Sequence, residues 1–82
     1  MTLYNNRQSL LLYCLDACKD NQLPVVLYVR KEALAAELNM NVRTLYRQIG
    51  QLRDEGLIGS YKGKISIDRN QMERIYKEIY TG

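Results

Sequence analysis

The 82-residue chain contains no histidine. The side chain that most often serves as general acid and base near neutral pH, and as a metal ligand, is therefore missing. Most hydrolytic and metal chemistries lose their key part. Cysteine is scarce, with Cys14 and Cys18 as the two examples. A zinc site needs four ligands, commonly from paired Cys and His motifs, so two thiols cannot close one. Four residues apart on a helix, the two thiols point the same way, a poor start for a disulfide. They are expected to be small apolar side chains buried on one helix face, and reduced thiols suit the cytoplasm. No carboxylate pair, nucleophile set or phosphate-binding loop supports an enzyme. No stretch approaches the roughly 18 apolar residues of a membrane span, and Met1–Arg7 lacks a basic start leading into an unbroken apolar run. The expectation is a soluble cytoplasmic protein, not membrane-bound and not an enzyme, with no cofactor and no metal.

What remains is a chain the size of one small domain, expected to span residues 1–82. Its hydrophobic fraction of 46% and charged fraction of 26% are those of a folding chain. Local signals then divide it. From Arg7 to Lys19 a broad apolar face marks a helix, with Asn5 or Asn6 available as its N-cap. The run from Asp20 to Pro24 breaks it, and Val25–Val29 reads as a short strand. Lys31–Leu38 returns to helical spacing. Asn39 tolerates the left-handed backbone that ends a helix, and Asn41 stands in place to cap the next one. Leu45, Ile49 and Leu52 form one apolar stripe on that third helix, which runs to about Glu55. Gly56 sits where a C-terminal cap belongs.

Beyond it, Gly59–Ile67 places Gly and Lys between two β-prone pieces, a hairpin with a basic tip at Lys62 and Lys64. Asp68 with Gln71 resembles a capping box, followed by an amphipathic helix carrying Met72, Ile75, Tyr76 and Ile79. The order α-β-α-α-β-β-α is mainly α with a small β-sheet, an α+β fold. It puts a helix-turn-helix at about 31–55, a wing at about 57–67 and a C-terminal helix at about 69–80.

Two short helices joined by a three-residue turn, then a basic hairpin, are the parts of a winged helix-turn-helix. The segment from Leu34 through Asn39 and Asn41 to Ile49, with Leu52 and the Glu55-Gly56-Leu57-Ile58 exit, resembles the DNA-binding domain of bacterial transcription regulators. It is similar to both the deoxyribose-operon repressor type and the catabolite-activator type. Asn39 stands at the turn position often filled by Gly, and Asn41 where a capping Ser is frequent. The relatives that sense sugars or cyclic nucleotides resemble this chain only in their DNA-binding part. The resemblance implies a transcription regulator, a repressor among the possibilities, whose recognition helix enters the major groove of double-stranded DNA.

The residues support that implication independently. With Leu45 as origin and about 100° per residue, Ile49 falls at about 40° and Leu52 at about 340°, whereas Arg43 falls at about 160° and Arg47 at about 200°. The arginines oppose the core stripe, where Arg can fork onto guanine or onto phosphate. The plainer alternative is a solvated helix face with Glu37 or Asp54 nearby. Charge location adds weight. Arg30 to Lys64 holds seven positive and four negative residues, the remainder five of each, so the whole net charge of +3 belongs to the motif.

Asn41 and Thr44, in the first turn, can meet a phosphate, Asn41 in addition to capping. Tyr46, at about 100° on the wheel, either braces the helix against the first strand or touches the DNA backbone. Lys62 and Lys64 either grip phosphates or guard the hairpin edge against strand pairing. Leu34 and Met40 are expected in the core. The expected DNA-binding set is Asn41, Val42, Arg43, Thr44, Tyr46, Arg47, Gln51, Tyr61, Lys62 and Lys64. A second copy through the terminal helices is an expected partner, since Met72, Ile75, Tyr76, Ile79 and Tyr80 exceed what one packing contact needs. The competing class is a winged helix that joins a protein assembly and reads no DNA sequence.

Overall fold

The computed structural model describes residues 5–19 and 21–80. Met1–Tyr4, part of the segment read for an export signal, and Asp20 of the expected break lie outside the described residues. The elements follow the order α1 (Asn6–Lys19), β1 (Val25–Leu27), α2 (Lys31–Glu37), α3 (Val42–Asp54), β2 (Gly59–Tyr61), β3 (Lys64–Ile67) and α4 (Arg69–Tyr80). This is the α+β winged helix arrangement expected from local signals.

Both end helices start with reciprocal caps. Asn5 Oδ1 accepts from the Gln8 N–H at 2.8 Å while the Asn5 N–H donates to Gln8 Oε1 at 3.2 Å. Asp68 and Gln71 repeat the pattern at 2.7 and 3.0 Å. Each pair satisfies backbone donors that the first turn of a helix leaves free. Of the two candidate caps for α1, Asn5 is therefore the one used.

The two helices of the motif end alike. Asn39 takes a φ of 56°, the Met40 N–H donates to the Ala35 carbonyl at 2.9 Å and the Asn39 N–H to Ala36 at 3.1 Å. Gly56, with φ 81°, does the same for α3: Leu57 N–H reaches the Leu52 carbonyl and Gly56 N–H that of Arg53, both at 3.0 Å. These are Schellman motifs, in which a left-handed residue turns the chain and two orphan carbonyls are satisfied. Asn41 then caps α3, its Oδ1 accepting from the Arg43 N–H at 2.7 Å.

The sheet has the order β1-β3-β2, with both pairings antiparallel. Val25 and Leu27 lie opposite Ile67 and Ile65, and these four inward side chains are buried. They join Leu10, Leu11 and Cys14 of α1, Leu34 of α2, Leu45 and Leu52 of α3, and Ile75 of α4 in one core. Both cysteines are free and buried. Burial, with a smaller contribution from Cys18, pushes the Cys14 thiol up to about 12.

Several expectations are corrected. The first strand stops at Leu27 rather than Val29, because the ladder with β3 ends at the Leu27–Ile65 pair; Tyr28 beyond it is 75% exposed. The wing strands begin at Gly59 rather than Leu57, since Leu57 and Ile58 are buried and the Leu57 N–H closes α3. Lys62 and Lys64 do not flank the tip together. The Tyr61–Lys64 pairing leaves Lys62 and Gly63 as the two turn residues, with φ 51° and 79°, and draws Lys64 into β3. A two-residue hairpin turn that matches strand twist needs positive φ at both positions. Met40 is half-buried rather than a full core residue, and Tyr76 of α4 is 52% exposed, leaving Ile75 with the half-buried Met72 and Ile79 to pack.

Candidate nucleic-acid interface

The third helix positions the site. Its buried stripe of Leu45, Ile49 and Leu52 anchors it to the core, which forces residues on the opposite side outward. Arg43, Arg47 and Gln51 are exposed there. Among the described residues neither arginine takes part in an ion pair, so neither Glu37 nor Asp54 neutralises them. Thr44 is half-buried in the first turn, and Asn41 is exposed beside it while capping the helix. Val42 is half-buried as well and packs on the core, which seats the start of α3.

Tyr46 stands on another side of the helix. It is 54% exposed and lines a groove between α3 and the hairpin, together with Lys31, Arg53, Ser60 and Lys64. It therefore faces the wing. On the hairpin, Lys62 Nζ lies 5.4 Å from the centre of the half-exposed Tyr61 ring, and Lys64 Nζ lies 5.6 Å from that of Tyr28. Both distances are within the range of attraction between a cation and an aromatic face.

Other cations are committed internally. Arg7 of α1 holds Glu55 through two bonds of 2.8 and 2.6 Å and Glu78 of α4 through two of 2.6 and 2.8 Å. These bonds hold the Glu55 carboxyl below its usual range and lift the Arg7 guanidinium further above its own. Arg74 of α4 donates to the carbonyls of Gly56 at 3.1 Å and Glu55 at 3.0 Å. The C-terminal end of α3 is thus tied down by α1 and α4, with Arg74 supplying positive charge where the helix dipole favours it.

Lys31, Arg53 and Ser60 were not singled out by sequence reasoning. For Arg53 a signal existed: it follows Tyr46 by seven residues and so shares its side of α3. Lys31 and Ser60 reach the same groove from α2 and β2, and no local spacing reveals that. Among the described residues no group of three or more Cys, Asp or Glu is arranged to hold a metal ion. No helix among them is long and apolar enough to cross a membrane.

A capped and anchored recognition helix, a turn closed by Asn39 and a three-stranded sheet ending in a basic hairpin define a helix-turn-helix DNA-binding domain of the winged kind. The family model of the Crp-like helix-turn-helix domain matches residues 8–75, and the chain belongs to that family. The match favours the catabolite-activator side of the resemblance; nothing equivalent supports the deoxyribose-operon repressor type. No curated protein matches the chain. No solved structure matches it either.

Proposed function

We propose that this chain is the sequence-reading module of a small transcription regulator. In this reading α3 enters the major groove of double-stranded DNA, Arg43, Arg47 and Gln51 meet base edges, and Asn41 and Thr44 meet phosphates at the entry of the helix. Tyr61, Lys62 and Lys64 lie along the flanking backbone. The observation that carries the reading is the contrast among the arginines. Arg7 and Arg74 are committed to internal bonds, whereas Arg43 and Arg47 stand exposed, with no ion pair among the described residues, on the side of α3 that the core leaves to solvent.

One module of this size covers little DNA, about 600–1,000 Å² of protein surface, so useful affinity calls for two copies. The surface of α4 supports that extension. Tyr76 and Tyr80 are exposed with ring centroids 4.8 Å apart. Beside them lies a largely apolar groove formed with Leu15 and Met72. The same surface would serve a protein assembly if the basic face were incidental.

Selection of bound sequences from random duplex DNA tests the proposal. A two-fold symmetric winner supports sequence-specific reading by a dimer, and an asymmetric winner supports reading by one copy. A featureless pool, with binding insensitive to salt, overturns the proposal in favour of the protein-interaction role, because phosphate neutralisation makes log K fall steeply with log salt. On the selected site, Arg47→Ala is expected to cost at least about 1 kcal/mol of affinity with little change in melting temperature.

A further inference from the structure

Three cations from three elements converge beside the arginine face. Lys31 of α2, Arg53 near the end of α3 and Lys64 of β3 line one groove of about 190 Å³ between the recognition helix and the hairpin. Tyr46 and Ser60 supply hydroxyl groups to its wall, and among the described residues no carboxylate lines it. Among the described residues none of the three cations takes part in an ion pair. Lys31 Nζ donates to the Gly63 carbonyl at 3.4 Å, a long bond that keeps the ammonium at the hairpin and leaves it two further protons.

Like charges gathered in a concavity repel one another and focus a positive potential outward. An anion seated among them relieves the repulsion, and guanidinium, ammonium and hydroxyl donors together suit phosphate oxygens. With α3 in the major groove as proposed above, the groove also lies beside the path of a DNA strand. Arg53 and Tyr46 fall at about 80° and 100° around α3 from Leu45, next to the arginine face on its wing side.

The geometry points to a seat for one backbone phosphate of the strand bordering the major groove, shared by Lys31, Arg53 and Lys64. This rests on the DNA-binding reading and deepens it, since it names the contact that sets how far the recognition helix slides along the groove. Phosphate contacts fix register and orientation without reading sequence. The seat would therefore position Arg43 and Arg47 against the base pairs.

The test is titration of a short mixed-sequence duplex over a range of salt concentrations. The intact chain is compared with Lys31→Gln, Arg53→Gln and the triple change that adds Lys64→Gln, each checked for an unchanged melting temperature. A shared phosphate requires both single variants to weaken binding and the triple variant to make log K against log salt shallower by about 0.9 in all. A loss near 2.7, the sum for three separate phosphates, would overturn the shared seat, as would an unchanged slope. Arg47→Ala is measured alongside. If it weakens binding while the triple variant does not, the seat is wrong and the DNA reading stands; if the intact chain shows no salt-dependent duplex binding, both fall.

Discussion

Arg7 and Glu55, separated by 48 positions in the chain, meet as a two-bonded pair with contacts of 2.8 and 2.6 Å. The same guanidinium holds Glu78, so one side chain of α1 joins the end of the recognition helix to α4. Three parts of the molecule that share no local signal are locked by a planar fork, the geometry for which Arg suits carboxylates better than Lys.

Arg7→Met is expected to lower the melting temperature by a few degrees, since it removes a network rather than one exposed pair. The Glu55 carboxyl is depressed below its ordinary value of 4.5, so its stabilising contribution is present above that value and is lost as pH falls through the lower native one. The gap in melting temperature between parent and Arg7→Met should therefore be full near neutrality and close in acid. Calorimetry across that range checks it, and a gap independent of pH would show that Arg7 acts through packing alone.

Leu45 is fully buried at the centre of the α3 stripe. Leu45→Ala is expected to cost about 2–5 kcal/mol, through lost transfer energy and the cavity left behind. Urea denaturation measures it. A variant as stable as the parent would contradict the assignment of the inner face of α3, and with it the outward placement of the arginines.

Gly50 sits inside α3, and a Cβ added there would meet nothing within 4 Å. A helical glycine with no packing reason costs about 1 kcal/mol relative to alanine, so Gly50→Ala should stabilise the fold by about that amount. The position lies at about 140° on the wheel, close to Arg43 at about 160°, so the added methyl points toward the proposed duplex. Higher stability with weaker duplex binding, from a melting curve and a binding titration on the same sample, is the expected result. Higher stability with unchanged affinity would place the DNA away from this part of the helix.

Lys62 holds a φ of 51° at the hairpin tip, a conformation that glycine adopts without strain. Lys62→Gly should therefore keep or slightly raise the melting temperature while removing one exposed charge. If Lys62 meets a phosphate, the slope of log K against log salt becomes shallower by about 0.9. An unchanged slope would assign the lysine to protection of a strand edge.

The features legible in the sequence are those set by residues a few positions apart. Asn41, Asp68 with Gln71, and Gly56 mark helix ends because caps are bonds between near neighbours, and the Leu45, Ile49, Leu52 stripe marks an inner face because helical spacing repeats locally. From the same stripe the outward direction of Arg43 and Arg47 follows. Tertiary structure alone decided the sheet order β1-β3-β2, the meeting of Arg7 with Glu55 and Glu78, and the gathering of Lys31, Arg53 and Lys64 at one groove. It also decided which lysine occupies the hairpin tip, because the register of β2 on β3 left two residues for the turn and forced Lys62 into left-handed backbone. The physical reason is common to these cases: strand pairing and side-chain convergence depend on how separate elements pack on the shared core, and a local pattern carries no information about which distant segment will arrive beside it.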